Sequence, residues 1–286
     1  MDRFTQSVTR MRFSAAAANI HSAKKIGVAL GPGLPYGLVG LGLLVALEQL
    51  GIPISMISGT SMGALMGALY ASGLTTEAIH QHTRGFFADD KLAKLLRENK
   101  QKPYLGLSSG EKLMEEIRKA AGWDPEFYDL KLPLFVVAAD KVSQKSVILR
   151  HGKVFDAVRA SIAMPMLLEE VQIGGMQLAD GAIFAPLDTE TLYAEGADFV
   201  IAIHAKPIRS ERIRELTRRS KLEPYLLRLL GWKTDPEIYF SKPACDILLR
   251  PRVPQALAAK GNRVDEIIQL GAKITYEALY KIEKDS

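Results

Sequence analysis

Short apolar runs alternate with turns through the first quarter of the chain. Ile26–Leu30 is a five-residue apolar run, and a loop rich in glycine and proline separates it from an apolar stretch at about Leu38–Leu50. A second short run, Ser55–Ser58, precedes the small-residue stretch Met62–Ser72. Runs of four or five residues fit buried strands, and runs of more than ten fit helices. The pattern therefore predicts a βαβα unit, whose right-handed crossover makes the strands parallel.

The same region has a composition that a membrane-spanning segment would share. Between Ile26 and Thr76 the only charged residue is Glu48. Glycines and prolines interrupt this bias at 31–37 and again from Pro53 onward, so neither stretch is one continuous apolar helix. Buried parallel strands covered by tightly packed helices produce the same bias, and we interpret the region in that way.

Helical and strand patterns continue to the end of the chain. Helices are predicted at Thr75–Arg84, at Lys91–Asn99, from a Ser108-x-x-Glu111 capping box to Ala121, at Phe155–Ile162 and at Val264–Ile282. Strands are predicted at Leu134–Ala139, Ser146–Arg150, Val171–Ile173, Gln177–Ala179 and Phe199–Ile203. Together these elements predict an α/β fold, a three-layer sandwich with a mainly parallel central sheet flanked by helices.

Composition limits the number of domains and the kinds of partner. The 286 residues, 48% of them hydrophobic, suffice for one large core and require no second. We expect a basic arm at 1–24 without the apolar region of a signal peptide, a core at 25–205, and a segment at 206–286 that packs on the same domain. Cys245 is the only cysteine, so no internal disulfide forms. The net charge of +5 favours acidic partners without choosing among them.

The pentapeptide from Gly59 to Gly63 has the form G-x-S-x-G and lies between a predicted strand and a predicted helix. A serine on such a turn, here Ser61, has its hydroxyl exposed, and the flanking glycines remove side chains that would clash there. The helix that follows directs free amides and the positive end of its dipole at the same place. The motif predicts a nucleophile with a site for developing negative charge, as acyl transfer from an ester requires.

A serine nucleophile needs a base, and the histidines of this chain give weak candidates. Four of them fit solvated surface positions: His21, His80, His82 and His151. His204 ends a predicted buried strand, where active-site residues of α/β sheets gather, and it stays a candidate. Asp180 also ends a predicted strand and precedes a glycine, although an ordinary Asp-Gly turn would have the same sequence.

Three blocks of sequence resemble the patatin-like phospholipase family, whose lipid acyl hydrolases use a serine and an aspartate without histidine. The blocks are the loop Leu30–Gly37, the elbow Gly59–Gly73, and Ser161–Pro165 followed by Asp180–Ala182. The resemblance covers nearly all of 26–205. It implies that Ser61 forms the acyl-enzyme and that Asp180 is its direct base. Partial burial would raise the basicity of that carboxylate.

The same resemblance assigns the oxyanion hole. It implies amide donors at Gly33 and Leu34, with Met62 adding a third from the start of the helix. The substrate loop comprises Gly31, Pro32, Tyr36 and Gly37, where the family usually reads G-G-G-x-R-G. Pro32 has no amide hydrogen and cannot be a donor.

Two further departures in this loop bear on the substrate. Leu34 stands where glycine is usual and narrows the site, and Tyr36 replaces a cation that could hold a lipid phosphate. A neutral ester, a lysolipid held by its chain, or another acyl donor is therefore favoured relative to a substrate recognised by its phosphate.

The segment Lys206–Lys233 contains nine basic and three acidic residues, a local net charge of +6, interleaved with leucines and ending near Trp232. Basic and bulky apolar residues at helical spacing suit contact with an anionic membrane or a lid over an acyl channel. A surface helix that packs its leucines on the core has the same pattern. No nucleic-acid-binding signature accompanies the charge, so no nucleic-acid partner is expected.

The sequence thus predicts a serine-dependent lipid acyl hydrolase that cleaves fatty acyl esters. We expect no cofactor and no metal site, and a cytoplasmic protein with peripheral contact at the inner membrane surface. Two alternatives remain: a catalytically weak lipid-binding or scaffold protein of the same fold, and an acyltransferase that uses the same acyl-enzyme. Headgroup, chain length and oligomeric state are not indicated.

Overall fold

The structure, a computed structural model, describes residues 23–88, 91–96, 108–208, 244–254 and 263–281. The first described elements form the expected βαβα unit. They are β1 (Ile26–Leu30), α1 (Val39–Gln49), β2 (Met56–Thr60) and α2 (Met62–Ala71). Every position of β1 and β2 is buried, as expected for parallel strands covered on both faces.

Three helices follow, and then pairs of strands separated by single helices. Next come α3 (Thr76–Phe87), α4 (Lys91–Leu96), α5 (Glu111–Ala121), β3 (Leu134–Asp140), β4 (Lys145–Leu149), α6 (Val154–Ser161), β5 (Val171–Ile173) and β6 (Met176–Asp180). The last described elements are α7 (Glu190–Ala194), β7 (Phe199–Ile203), β8 (Lys206–Ile208), β9 (Ile247–Leu249), β10 (Arg252–Pro254) and α8 (Val264–Lys281).

Eight of these strands form one sheet. Hydrogen-bonded neighbours follow the order β5-β6-β3-β2-β1-β7-β9, and β4 also pairs with β3. The central pairs, from β3 through β2 and β1 to β7 and β9, are parallel. The pairs of β3 with β4, β3 with β6, and β5 with β6 are antiparallel. The sheet is therefore parallel at its centre and antiparallel at one margin. β8 and β10 form a separate parallel pair.

The register on β3 brings two strand ends together. β4 pairs with all of Val136–Asp140, so it occupies one edge of β3 over that whole length. β2 pairs with β3 as far as Val137, and β6 pairs with it from Ala138 onward. Because the residues of β3 that pair with β4 include residues that pair with β2 and with β6, β2 and β6 must both lie along the other edge of β3. They run toward each other along that edge. The carboxyl ends of β2 and β6 therefore meet at neighbouring residues of β3.

Helices cover both faces of the sheet. The larger apolar cluster includes side chains of α1, α2, α5, α6 and α8, and a smaller cluster on β1, β3 and β7 is covered by α7. α8 packs on α1 with its backbone in contact: a Cβ at Gly42 would lie 2.1 Å from the Ile268 carbonyl oxygen, and one at Gly271 would lie 2.3 Å from that of Val39. The predicted three-layer fold with a mainly parallel sheet is confirmed.

Most predicted element bounds agree with the structure to within two residues. The capping box is wrong: α5 begins after Gly110, whose φ is 73°, and the Ser108 hydroxyl accepts the Gly110 amide rather than that of Glu111. Four short elements, α7 and β8 to β10, were not predicted, because three to five residues carry too little periodicity. No described helix is long and apolar enough to cross a membrane.

Two predicted segments fall largely outside the described ranges. They are the basic arm at 1–24, of which only 23–24 are described, and the basic segment Lys206–Lys233. The first residues of that segment form strand β8 rather than part of a helix. The proposed division of the chain at 205 stays a prediction.

Candidate active site

Ser61 lies at a sharp turn between β2 and α2. Its backbone angles, a φ of 54° and a ψ of −117°, lie outside the regions that residues other than glycine prefer, as in a nucleophile elbow. Gly63 lets the turn pack against β1, since a Cβ there would lie 2.1 Å from the Leu30 carbonyl oxygen. The other predicted elbow glycine, Gly59, also packs closely, since a Cβ there would lie 2.7 Å from the Ala64 backbone. This geometry requires a glycine at both flanking positions of the motif.

Asp180 is the hydrogen-bond acceptor for the Ser61 hydroxyl. The Ser61 Oγ donates to Asp180 Oδ2 over 2.7 Å, and the Ala182 amide donates to Oδ1 over 2.9 Å. Asp180 is 3% exposed, while Ser61 is 9% exposed and borders a pocket. The structure thus places the two predicted dyad residues in direct contact.

Burial raises the pKa of the Asp180 carboxyl to about 6, and the hydrogen bonds from the Ala182 amide and the Ser61 hydroxyl oppose that rise. A carboxylate with this pKa is ionised at neutral pH and is a stronger base than an exposed aspartate. A base near neutrality is suited to accepting a proton and then returning it.

The loop at 31–37 folds against the start of α2. A Cβ at Gly37 would lie 2.7 Å from that of Met62, and the Gly37 amide donates to the Gly33 carbonyl over 2.6 Å. Leu34, Ser61 and Met62 border the same pocket. The first amides of α2 have no acceptor within the helix. The structure therefore places Leu34 and Met62 at the same pocket as Ser61. The role of Gly33, Leu34 and Met62 as an oxyanion hole stays a prediction.

An apolar pocket extends from Ser61 along α2. That helix contributes Met62, Leu65, Met66 and Leu69, which recur at the spacing of one helical face. The facing walls come from α3, α4, α5 and the segment at 162–168, through Thr83, Phe86, Phe87, Leu92, Leu96, Leu113, Ile117, Ile162, Met164, Leu167 and Leu168. Among these described lining residues none is charged. The pocket suits a hydrocarbon chain.

The pocket is what the sequence interpretation missed. Its walls come from four helices, the loop at 31–37 and the segment at 162–168, and only the tertiary fold brings them together. The one readable signal is the recurrence of large apolar side chains on α2 immediately after Ser61.

His204 does not take the place of the base. His204 follows β7, and β1 separates β7 from β2, the strand that leads to Ser61. It lies beside Gly31, where a Cβ would be 3.1 Å from the His204 Cβ. Burial lowers the pKa of His204 to about 4, with a further contribution from Arg250. The His80 Nε2 donates a 2.7 Å hydrogen bond to the Asp265 carboxylate of α8, so His80 is not the solvated surface residue that the sequence indicated. His82 and His151 are exposed, as predicted.

Within the described ranges, no three His, Cys, Asp or Glu side chains are placed to hold a metal ion. The features of the site are then a strained serine at a strand-to-helix turn, a buried aspartate in contact with it, and an apolar pocket. Together with the sheet order, they define an α/β protein of the nucleophile-elbow type. A family model described as patatin-like phospholipase matches residues 28–193. The chain belongs to the patatin-like phospholipase family, as its three sequence blocks indicated.

Relatives of this chain are longer than it is. An uncharacterized NTE family protein of Mycobacterium bovis is 31% identical over 182 residues, which are 64% of this chain and 49% of that protein. Lysophospholipase NTE1 of Candida glabrata is 30% identical over 186 residues, 65% of this chain and 11% of that one. The chain thus spans about half the length of the first and a small part of the second.

A solved structure shares the fold. The crystal structure of VipD from Legionella pneumophila aligns with a TM-score of 0.55 at 15% identity, covering 91% of this chain and 67% of that one. At this identity the likeness concerns the fold alone.

Proposed function

We propose that the chain is a lipid acyl hydrolase that cleaves fatty acyl esters through an acyl-enzyme on Ser61, with Asp180 as the base. The 2.7 Å hydrogen bond between these two side chains, beside an apolar pocket, is the observation that carries the proposal. Membership of the patatin-like phospholipase family supports an acyl ester of a lipid as the substrate.

Acylation begins when Asp180 accepts the proton of the Ser61 hydroxyl as Oγ bonds to the ester carbonyl carbon. Negative charge moves to the carbonyl oxygen, where the amides of Met62, Gly33 and Leu34 are the proposed donors. Collapse of the tetrahedral intermediate breaks the bond between the carbonyl carbon and the alcohol oxygen. The alcohol leaves with the proton that Asp180 returns.

Deacylation repeats these steps with water as the nucleophile. Asp180 accepts a proton from water as its oxygen attacks the acyl carbon, and the fatty acid leaves as Ser61 recovers its proton. An alcohol in place of water would give acyl transfer through the same acyl-enzyme. The products of one incubation, free fatty acid or a new ester, distinguish these reactions.

The composition of the pocket favours substrates recognised by their chain. Its described lining has no cation, and the loop has Leu34 and Tyr36 where the family usually has a glycine and a basic residue. We therefore propose neutral esters or lysolipids as substrates, rather than lipids recognised by a headgroup phosphate. The same loop is the reason to retain the catalytically weak lipid-binding protein as a second candidate.

Three exposed apolar side chains surround the opening of the pocket. Leu34 is 38% exposed, Met164 40% and Leu167 44%, and all three also line the pocket. We propose that this rim contacts a lipid surface, together with the basic segment Lys206–Lys233. Exposed apolar side chains beside a lipid pocket gain free energy by leaving water.

Vesicle sedimentation tests the lipid contact. The Leu167→Gln and Met164→Gln chains should bind vesicles more weakly than wild type. Val142→Gln is the matched control, since Val142 is 74% exposed and lies outside the pocket lining. Binding through the basic segment should require anionic lipid and weaken with salt. Equal binding by all variants, indifferent to salt and lipid charge, contradicts both contacts.

Labelling by a fluorophosphonate tests the nucleophile. Wild type should be labelled and Ser61→Ala should not. Ser58→Ala is the control, because Ser58 is a buried serine of β2, the strand that precedes Ser61, and its hydroxyl donates to Asp188. Hydrolysis of phospholipid, lysolipid and neutral esters then ranks the substrates. A folded wild type that neither labels nor hydrolyses favours the lipid-binding alternative, and labelling that survives in Ser61→Ala refutes the site.

A further inference from the structure

Ser161, the last residue of α6, is fully buried, and its hydroxyl joins the turn at Ser61 to a strand of the sheet. The Ser161 Oγ accepts the backbone amide of Ser61 over 2.8 Å and donates to the carbonyl oxygen of Val137 over 2.6 Å. One hydroxyl therefore links the nucleophile elbow to the strand β3, on which β2 and β6 meet.

The Ser61 backbone needs such a partner. Its φ of 54° is an unfavourable conformation for a residue with a side chain, and such conformations persist only where the surroundings fix them. Its amide comes after the last pair of β2 with β3, and the acceptor that it reaches is the Ser161 hydroxyl. A buried amide without a partner would add a further cost to the turn.

The two hydrogen bonds of Ser161 also fix each other. A hydroxyl has one proton, and here the Val137 carbonyl takes it. A lone pair of the oxygen therefore faces the Ser61 amide. This engagement also removes the Ser61 amide from the set of oxyanion donors, which leaves that task to the start of α2 and to the loop at 31–37.

The same short segment holds the aspartate. The Asp180 amide donates to the Ala163 carbonyl over 3.0 Å, two residues beyond Ser161. Residues 161–163 thus bind the backbone of Ser61 through a side chain and the backbone of Asp180 through a carbonyl. A shift of this segment would move both reacting groups relative to each other.

We propose that Ser161 is a positioning residue for the acyl transfer, which fixes the Ser61 backbone so that its hydroxyl faces Asp180. The inference rests on the proposed function, in which Ser61 is the nucleophile. Ser161 itself touches neither substrate nor the reacting oxygen, and its effect passes through the elbow. Misplacement of a reacting group by about 1 Å costs on the order of 100-fold in rate.

Ser161→Ala tests the proposal with a soluble short-chain ester as the probe. We expect kcat to fall about 10- to 100-fold with KM little changed, and fluorophosphonate labelling to slow by a similar factor. Ser72→Ala is the matched control, because Ser72 is also buried and donates a 2.7 Å hydrogen bond to the Ala68 carbonyl at the other end of α2. It should lower the melting temperature without changing kcat.

The outcomes separate a positioning role from a structural one. A folded Ser161→Ala chain with wild-type kcat overturns the proposal, as does an equal loss of kcat in Ser72→Ala. If Ser161→Ala does not fold, Ser161→Cys decides, since a thiol keeps the branching of the side chain and fills the site but is a weak donor and acceptor. It should retain an intermediate kcat, and full activity would overturn the proposal. An inactive, unlabelled wild type instead overturns the proposed function itself.

Discussion

Asp180 occupies the place on the edge of β3 that Ser61 would have taken had β2 continued. Thr60 pairs with Val137, and the next residue of β3, Ala138, pairs with Asp180. β2 cannot extend past Thr60, so the chain leaves the sheet at Ser61. The register of β2 and β6 on β3 therefore accounts for both the turn at Ser61 and the contact of Ser61 with Asp180.

Replacing the aspartate tests its role as the base. Asp180→Asn should lower kcat at least about 1,000-fold, because the amide cannot accept the Ser61 proton. Asp188→Asn is the control, since Asp188 is a nearby carboxylate that accepts a hydrogen bond from Ser58 on β2. It should keep kcat close to wild type. Steady-state hydrolysis of a soluble ester measures both, and equal losses would contradict a special role for Asp180.

Activity should depend on pH through the Asp180 carboxyl. Burial raises its pKa to about 6, so below that pH the group holds a proton and cannot act as a base. We expect kcat/KM for an uncharged ester to rise about tenfold per pH unit below 6 and to level off above it. A profile that is flat from pH 4 to 8 would contradict this assignment.

The same carboxyl should destabilise the fold at neutral pH. Its pKa in the folded chain, about 6, lies above the ordinary 3.8, so the folded chain holds this proton more tightly than the unfolded chain does. The resulting stabilisation of the fold is complete below pH 3.8 and is lost as the pH rises through 6. The loss amounts to about 3 kcal/mol. Asp180→Asn should therefore melt at a higher temperature than wild type at pH 8, and the difference should vanish near pH 4. Calorimetry across this range measures it, and an Asp180→Asn chain that is less stable than wild type at pH 8 would contradict it.

Gly63 should tolerate no side chain. A Cβ there would lie 2.1 Å from the Leu30 carbonyl oxygen, so α2 and β1 would have to separate, and we expect Gly63→Ala to cost about 3 kcal/mol and most activity. Gly85→Ala, in α3, is the matched control, because no heavy atom lies within 4 Å of its Cβ position. It should stabilise the chain by about 0.5 to 1 kcal/mol. Denaturant unfolding measures both, and similar effects at the two sites would refute the close contact.

The length of the acyl chain should be limited at Leu69. This buried residue lies eight residues after Ser61 on the pocket face of α2, about 12 Å further along the helix. Leu69→Trp should lower kcat/KM for long-chain esters at least about tenfold, because the indole fills the pocket. Hydrolysis of a short-chain ester by the same variant is the internal control and should change little. An unchanged ratio of long- to short-chain rates would place the acyl chain elsewhere.

The sequence predicted the central elements well, because local patterns determine them. β1, β2 and α2 are continuous apolar or small-residue runs, and glycine at positions 59 and 63 marks the turn between strand and helix. The positions of Ser61 and Asp180 at strand ends were readable for the same reason.

Non-local relationships were not readable. The meeting of β2 and β6 depends on which edge of β3 each strand uses, and both strands are distant from β3 in the sequence. Ser161 stood in a recognised block, but its spacing says nothing about an acceptor for the Ser61 amide. The pocket combines side chains from separate elements between Leu34 and Leu168, so no local pattern describes it.

The direction of α2 makes the two ends of the pocket different. Its amino end lies at Ser61, and its apolar face continues toward Leu69. In the proposed reaction an acyl chain can then bind in only one sense, with its carboxyl carbon at the amino end of the helix and its terminal methyl group toward the carboxyl end. The alcohol part of the ester is left at the rim of Leu34, Met164 and Leu167, where it returns to the lipid phase without crossing the protein.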